Sequence, residues 1–195
     1  MRKIALLVMV MLTSTSYADE IYIEQSGDYS TIDLNQEGVG NKIGNDVTPS
    51  YIGGDGSTVN VKQTGNNNTL DAVVNGAGTT TTVTTTGAGN AQTINCGTQL
   101  SGSCSSSNIT QTVNGNDNTI TQNLGDGANH TTSMTVNGND NTITHNSTNA
   151  GANNVTLDVT GNMNNIGITQ SGLTAKTLSV TTTGNSNNVT IQQSN

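Results

Sequence analysis

The sequence predicts an all-β fold: a β-solenoid of stacked strand-turn-strand coils of about 23 residues, paired in an amyloid-like way. Three observations predict it. Gly and Asn recur three apart with a fixed period of 23 residues, at Gly115/Asn118, Gly138/Asn141, Gly161/Asn164 and Gly184/Asn187. A period of this size marks a chain that coils into near-identical stacked units. Between those turns, β-branched and polar residues alternate, which is the pattern of a half-buried strand. The chain also has no Phe and no Trp, and only 2% of its residues are aromatic, too little bulk for an ordinary globular core. Low apolar content also suits a disordered chain, but strict alternation of β-branched residues argues for strands.

The first element is a leader. Arg2 and Lys3 precede an apolar run over 4–12, and the small residues that follow end at Ala18. This reads as a secretory signal peptide over residues 1–18, leaving 19–195 as the repeat domain. The apolar run is far short of the ~20 residues that a membrane-spanning helix needs, so the chain is expected to be exported and not membrane-spanning.

The repeat units follow. The Gly-x-x-Asn step occurs again as Gly38/Asn41, Gly65/Asn68 and Gly87/Asn90, and as Gly27-x-x-Ser30 with Ser in the Asn place. From Gly27 the glycines step by 11, 27, 22, 28, 23, 23 and 23 residues. The 11 is half a period, so each unit is two similar arms, and about seven coils are expected. Gly and Asn at the break suit a turn that needs positive φ. A second glycine-bearing turn joins unit to unit, as at Gly76/Gly78, Gly125/Gly127, Gly151 and Gly172. The long steps place insertions near 44–56, which holds the one proline, and near 96–104. Stacking such coils ~4.8 Å apart sets Gly over Gly, Asn over Asn, and Ile120, Ile143, Ile166 and Val189 in one apolar column. The buried Asn is expected to hydrogen-bond its own copy above and below.

Charge narrows the function. Without the leader, three lysines face 13 acidic residues, a balance of −10, and nine of those acids lie at or before Asp71. Nucleic acids and anionic lipids are bound by clustered Lys and Arg, so no nucleic-acid partner is expected. Cys96 and Cys104 are the two cysteines. In an exported chain a close pair is expected to form a disulfide, worth about 2–3 kcal/mol for so short a loop in the chain-entropy picture. Two cysteines without a neighbouring histidine supply half of a zinc ligand set.

From Ser57 onward the pattern becomes specific. Ser57-x5-Gln63-x-Gly65-x2-Asn68-x-Leu70 resembles the curlin repeat, Ser-x5-Gln-x-Gly-x2-Asn-x-Ala-x3-Gln. Gln25-x-Gly27-x2-Ser30-x-Ile32-x3-Gln36 fits the same frame, and the units ending at Gln170 and Gln193 keep its Gly, Asn and final Gln. The usual Ala position holds Ile, Leu or Val here. The resemblance implies a structural subunit of curli-like extracellular fibres on a bacterial surface, self-assembling into biofilm matrix and serving adhesion. It also implies a second curlin-like subunit, a curli-type secretion pore and chaperones as partners.

No enzyme chemistry is expected, and no cofactor. His130 lies in a turn, and His145 takes the place held by Gln122 and Ile168 in neighbouring units, which reads as a ladder variant with no positioned partner for general base work. Asp117 and Asp140 share a turn position one period apart, but Met163 and Ser186 continue that column, so solvated turn carboxylates are expected and not a metal site. The Thr-rich tracts 79–86 and 181–183 offer outward Thr-x-Thr pairs, which raises an alternative, an ice-binding β-solenoid. Thr also simply suits strand surfaces. A further alternative is a non-polymerising β-solenoid adhesin or virion-fibre segment. No cap is expected beyond the last strand, over 189–193, and open strand edges of low charge invite another copy.

Overall fold

A computed structural model describes residues 7–13, 19–26, 28–44, 50–96, 104–124, 127–148 and 151–194, and among them there are strands and turns but no helix. In chain order the strands are β1 (Leu7–Thr13), β2 (Glu20–Ile21), β3 (Ile23–Ser26), β4 (Thr31–Glu37), β5 (Lys42–Ile43), β6 (Ser50–Gly53), β7 (Thr58–Thr64), β8 (Thr69–Asn75) and β9 (Thr80–Thr86). They continue as β10 (Ala91–Cys96), β11 (Asn108–Asn114), β12 (Thr119–Leu124), β13 (Thr131–Asn137), β14 (Thr142–Ser147), β15 (Asn153–Thr160), β16 (Asn165–Gln170), β17 (Lys176–Thr183) and β18 (Asn188–Gln193). The alternation of arms is the solenoid itself: successive arms fall into two different sheets. The first sheet runs β1-β4-β7-β9-β11-β13-β15-β17, and the second runs β18-β16-β14-β12-β10-β8-β5-β2, with β3 and β6 continuing its edge beside β8. Each coil contributes one arm to each sheet.

Register follows the repeat. From β4 onward the first sheet steps by 27, 22, 28, 23, 23 and 23 residues, from Thr31↔Thr58 through Asn154↔Thr177. These are the steps that separate Gly38 from Gly65 and onward to Gly184. The stack makes about six turns of ~23 residues. Ser30 lies on the turn opposite Asn41, so the step of 11 is half a coil, not a separate one.

Alternation puts every second residue inside. In the first sheet the interior holds Ile32, Val59, Ile109 and Val155 in one column and Leu34, Val61, Val83, Met134, Leu157 and Val180 in the next. The second sheet contributes Ile43, Leu70, Ile120, Ile143 and Ile166 in register, each at 1% exposure or less. Val189 extends that column but stays only partly buried at the end of the stack. Fully burying one such aliphatic side chain contributes roughly 1.5–3 kcal/mol. Parallel sheets are normally covered on both faces. Here each covers the other on its inner face, and the outer faces carry Thr, Asn and Ser, which tolerate water.

The first insertion is smaller than the sequence suggests. Within 44–56, Ser50–Gly53 is a strand of the second sheet that pairs with β3 and β8. The surplus over the next coil falls between Ile43 and Tyr51, largely at 45–49, outside the described residues. Residues 97–103 of the second insertion also lie outside them. Leu7–Thr13, inside the expected leader, pairs in parallel with β4 from Leu7↔Thr31 to Thr13↔Glu37.

Candidate functional site

The feature that runs the length of the molecule is the first turn of each coil. Its leading glycines, Gly38, Gly65, Gly87, Gly115, Gly138, Gly161 and Gly184, have φ between 116° and 141°. A Cβ on Gly138 would overlap the carbonyl of Gly161 in the next coil, and Gly38, Gly65, Gly87, Gly115 and Gly161 meet the same obstacle. Glycine is therefore required twice over, by conformation and by the spacing of stacked backbones. Two residues on, the turn again takes a positive φ, at Asn67, Asp117, Asp140, Met163 and Ser186. Asp117 and Asp140 are successive occupants of this exposed position, and among the described residues no group of three potential metal ligands occurs.

The Asn that closes each turn points inward. Asn41, Asn68, Asn90, Asn118, Asn141 and Asn164 are 0–1% exposed. Each amide spans three coils. Asn118 Oδ1 accepts from the backbone N–H and the Nδ2 of Asn141, at 3.1 and 2.9 Å, while Asn141 Nδ2 also donates to the carbonyl of Gly161 at 2.9 Å. The pattern repeats from Asn41 to Asn68, Asn90 and Asn118. It continues to Asn164 and ends on Asn187, which is only half-buried. At the opposite end Asn41 N–H donates to Asp19 Oδ1 at 2.9 Å, so a carboxylate takes the place of the next Asn.

Three further features were missed in the sequence. The first is an outer ladder on the same turn: Asn66, Asn116, Asn139, Asn162 and Asn185 each accept, through Oδ1, a backbone N–H of the neighbouring coil. The second is a pillar on the opposite turn. Ser30 Oγ donates to Gly54 O at 3.1 Å, Ser57 Oγ to Gly76 O at 2.9 Å, and Thr79 Oγ1 to Cys104 O at 2.7 Å. His130 N–H then donates to Ser107 Oγ, and Asn153 N–H to His130 Nδ1. Gly54-x-x-Ser57, Gly76-x-x-Thr79 and Gly127-x-x-His130 repeat the spacing of the Asn turn, a signal that identity of side chains concealed. The third is Asp19.

The glutamines expected to flank the turns form two short ladders, not one. Gln36 Nε2 donates to Gln63 Oε1, and Gln170 Nε2 to Gln193 Oε1, both at 2.8 Å. They lie in different sheets at opposite ends of the stack. Gln25 shares the register column of Gln170 and Gln193; its side chain, and Gly27, lie outside the described residues. Between the ladders, Thr85 bonds Gln92, and Gln111 bonds Gln122, which reaches Thr132 at 2.6 Å. This polar belt separates the core into two apolar clusters. Cys104 is disulfide-bonded and fully buried, and it occupies the place of Gly76 in the second turn with φ 98°. The side chain of Cys96, its expected partner, lies outside the described residues.

His145 sits in the register column of Gln122 and Ile168. It is fully buried, with Nε2 3.0 Å from Gln170 Oε1 and with Nδ1 lacking a hydrogen-bond partner. Burial pushes its pKa below the ordinary 6.5, against the Gln170 hydrogen bond, and the nearby His130 adds to the fall. Comparison with protein-family models, curated proteins and solved structures returned no match.

Two outcomes follow from this geometry. Asn141→Ala keeps the backbone N–H that bonds Asn118 Oδ1 but strands Gly161 O and the donors of Asn164 in the interior, so urea unfolding should show a loss of about 2–4 kcal/mol, at roughly 1–3 kcal/mol per buried unsatisfied group. Asn162→Ala, on the outer ladder, should cost less than about 1 kcal/mol because water replaces the bond. For His145 the folded chain resists a proton that the unfolded chain accepts. Its contribution is therefore intact above the unfolded pKa of 6.5 and is lost as pH falls below it. Thermal melts at about pH 7.5 and about pH 5 should show a smaller drop for His145→Gln than for the parent chain.

Proposed function

We propose that this chain is a non-enzymatic structural subunit of curli-like extracellular fibres, exported after loss of residues 1–18 and assembled end to end at a bacterial surface as biofilm matrix and adhesive. The observation that carries the reading is the state of the last coil. β17 and β18 are the outermost strands of their sheets among the described residues. Leu178, Val189 and Ile191 remain only partly buried there, whereas Val155, Ile166 and Ile168 in the coil beneath are at 0–1%. Two unpaired strand edges, an uncovered apolar column and an unfinished Asn ladder all present what another coil would satisfy. Low charge in this half leaves little repulsion against an incoming copy. The primary partner is thus a second copy. A second curlin-like subunit, a secretion pore and chaperones belong to the same proposal.

A second reading rests on a different surface. Along the outer face of the first sheet, Thr82, Thr110, Ser133, Thr156 and Ser179 form one column, and Thr84, Thr112, Thr135, Asp158 and Thr181 the next. Nine of these ten positions carry a hydroxyl, spaced ~4.8 Å between strands and ~6.7 Å along them. Such a regular, nearly uncharged array favours ordered water, and with it ice.

Incubation of the exported chain should give thioflavin-positive fibres whose diffraction has a meridional spacing of ~4.8 Å; a sample that stays monomeric removes the fibre reading and leaves the free-standing adhesin. Thermal hysteresis with faceted ice crystals, abolished by Thr112→Lys, is the outcome that establishes the ice-binding surface, and its absence dismisses it.

A further inference from the structure

We infer that residues 19–26 are an intramolecular stand-in for the carboxyl-terminal strand of another copy, and that they must leave their place for the stack to continue. The inference rests on the fibre reading and names the surfaces that would meet. Register carries it first. Through the second sheet, Glu20 shares a column with Asn188, Ile21 with Val189, Ile23 with Ile191 and Gln25 with Gln193. Asp19 holds on Asn41 the position that each Asn holds on the next.

Sequence agrees with register. Residues 19–26 read Asp-Glu-Ile-Tyr-Ile-Glu-Gln-Ser, and residues 187–194 read Asn-Asn-Val-Thr-Ile-Gln-Gln-Ser. The apolar residues Ile21 and Ile23 match Val189 and Ile191, the last two residues are identical, and three amides have become carboxylates, at Asp19, Glu20 and Glu24. Residues 164–171 share Ile, Ile, Gln and Ser at the same places. The nearest fully aligned second-sheet stretch, 68–75, shares none. The amino-terminal strand thus resembles the far end of the molecule more than its own surroundings.

The winding of the chain supplies the reason to move. Arms alternate between the sheets, and the last coil ends on β18 in the second sheet. An unbroken stack next needs β4 in the first sheet and β5 and β6 in the second. With β1 gone, the edge of β4 is open, while the edge of β5 and β6 is covered by β2 and β3. That strand adds a second-sheet layer without a first-sheet counterpart, so an in-phase junction requires its displacement.

Its attachment suits displacement. Ile21 and Ile23 are only partly buried, and the Glu20–Lys42 ion pair, at 2.9 Å, is solvent-exposed, a kind of pair that contributes little. Asp19 accepts one bond from Asn41 but has no amide hydrogen to give the carbonyl of Gly38. Asn187 of an incoming copy, placed as every other rung is, would accept from both the N–H and the Nδ2 of Asn41 and donate to Gly38 O. The acidic strand holds the edge, and the amide strand fits it better.

The test compares assembly lag times of the exported chain and three variants, all followed by thioflavin fluorescence. Ile21→Ser with Ile23→Ser loosens the strand and should shorten the lag. Asp19→Asn with Glu20→Asn and Glu24→Gln makes the strand a closer copy of 187–194 and should lengthen the lag, although it removes negative charge. Asp33→Asn with Glu37→Gln removes charge from the same end without touching the strand and should not lengthen it. Amide exchange should show the Tyr22 N–H, bonded to Ile43 O in the monomer, losing protection in fibres. Fibres in which Tyr22 stays protected, or a triple variant that assembles faster, overturn the inference while the fibre reading stands. Absence of fibres from every chain overturns both.

Discussion

The rest of the structure depends on one constraint: a primary amide buried at the same place in every coil. Asn is bulky enough to fill the turn and polar enough that it cannot be left unpaired. Its own copy in the next coil is the one partner always at the right height. Once Asn118 Oδ1 takes both donors of Asn141, a shift of one residue would break two bonds per coil and turn every interior side chain outward. The ladder therefore fixes register as well as adding stability. The glycine three residues earlier is part of the same constraint, because the carbonyl that receives the Asn Nδ2 lies where a Cβ would be.

This explains how a core without Phe or Trp holds together. Stability in a stacked fold is close to a sum over neighbouring coils, so no single large cluster is needed. The interior tolerates Gln92, Gln111, Gln122 and His145 because each finds a side-chain partner across the coil or one level away. Thr81 Oγ1, Gln92 Nε2 and His145 Nδ1 remain without one. These atoms lie in the middle coils, where the columns change from polar to apolar and no residue type is repeated long enough to form its own ladder.

How much was legible in the sequence follows from which features repeat by identity. The Gly/Asn turn uses the same two residues at seven places, so the period, the strand arms and the stacking order could all be read directly. The opposite turn does the same mechanical task with Ser30, Ser57, Thr79, Ser107, His130 and Asn153 in turn. A hydroxyl, an imidazole and an amide can each bridge to the next coil, so selection for bonding leaves no single letter to find. His130 looked like an isolated turn residue for that reason. The strand at Ser50–Gly53 was hidden by the proline and glycines around it. The glutamines were visible, but their division into ladders at opposite ends of different sheets needed the register.

The two ends of the stack are chemically unlike, and that difference has a consequence. Any stack held by directional amide pairs is polar: one end offers acceptors and the other offers donors. Here the acceptor end, at Asn187, is a neutral strand with its apolar column uncovered. The donor end, at Asn41, is already engaged by the carboxylate of Asp19. A chain with two equally open ends would pair with itself as soon as it folded. In the assembly proposed above, the acidic strand seated at one of them makes growth a competition for a single edge between two related sequences, identical at three of eight positions. Five positions differ, and in that proposal the three amide-to-acid differences, at Asp19, Glu20 and Glu24, decide which strand the edge prefers.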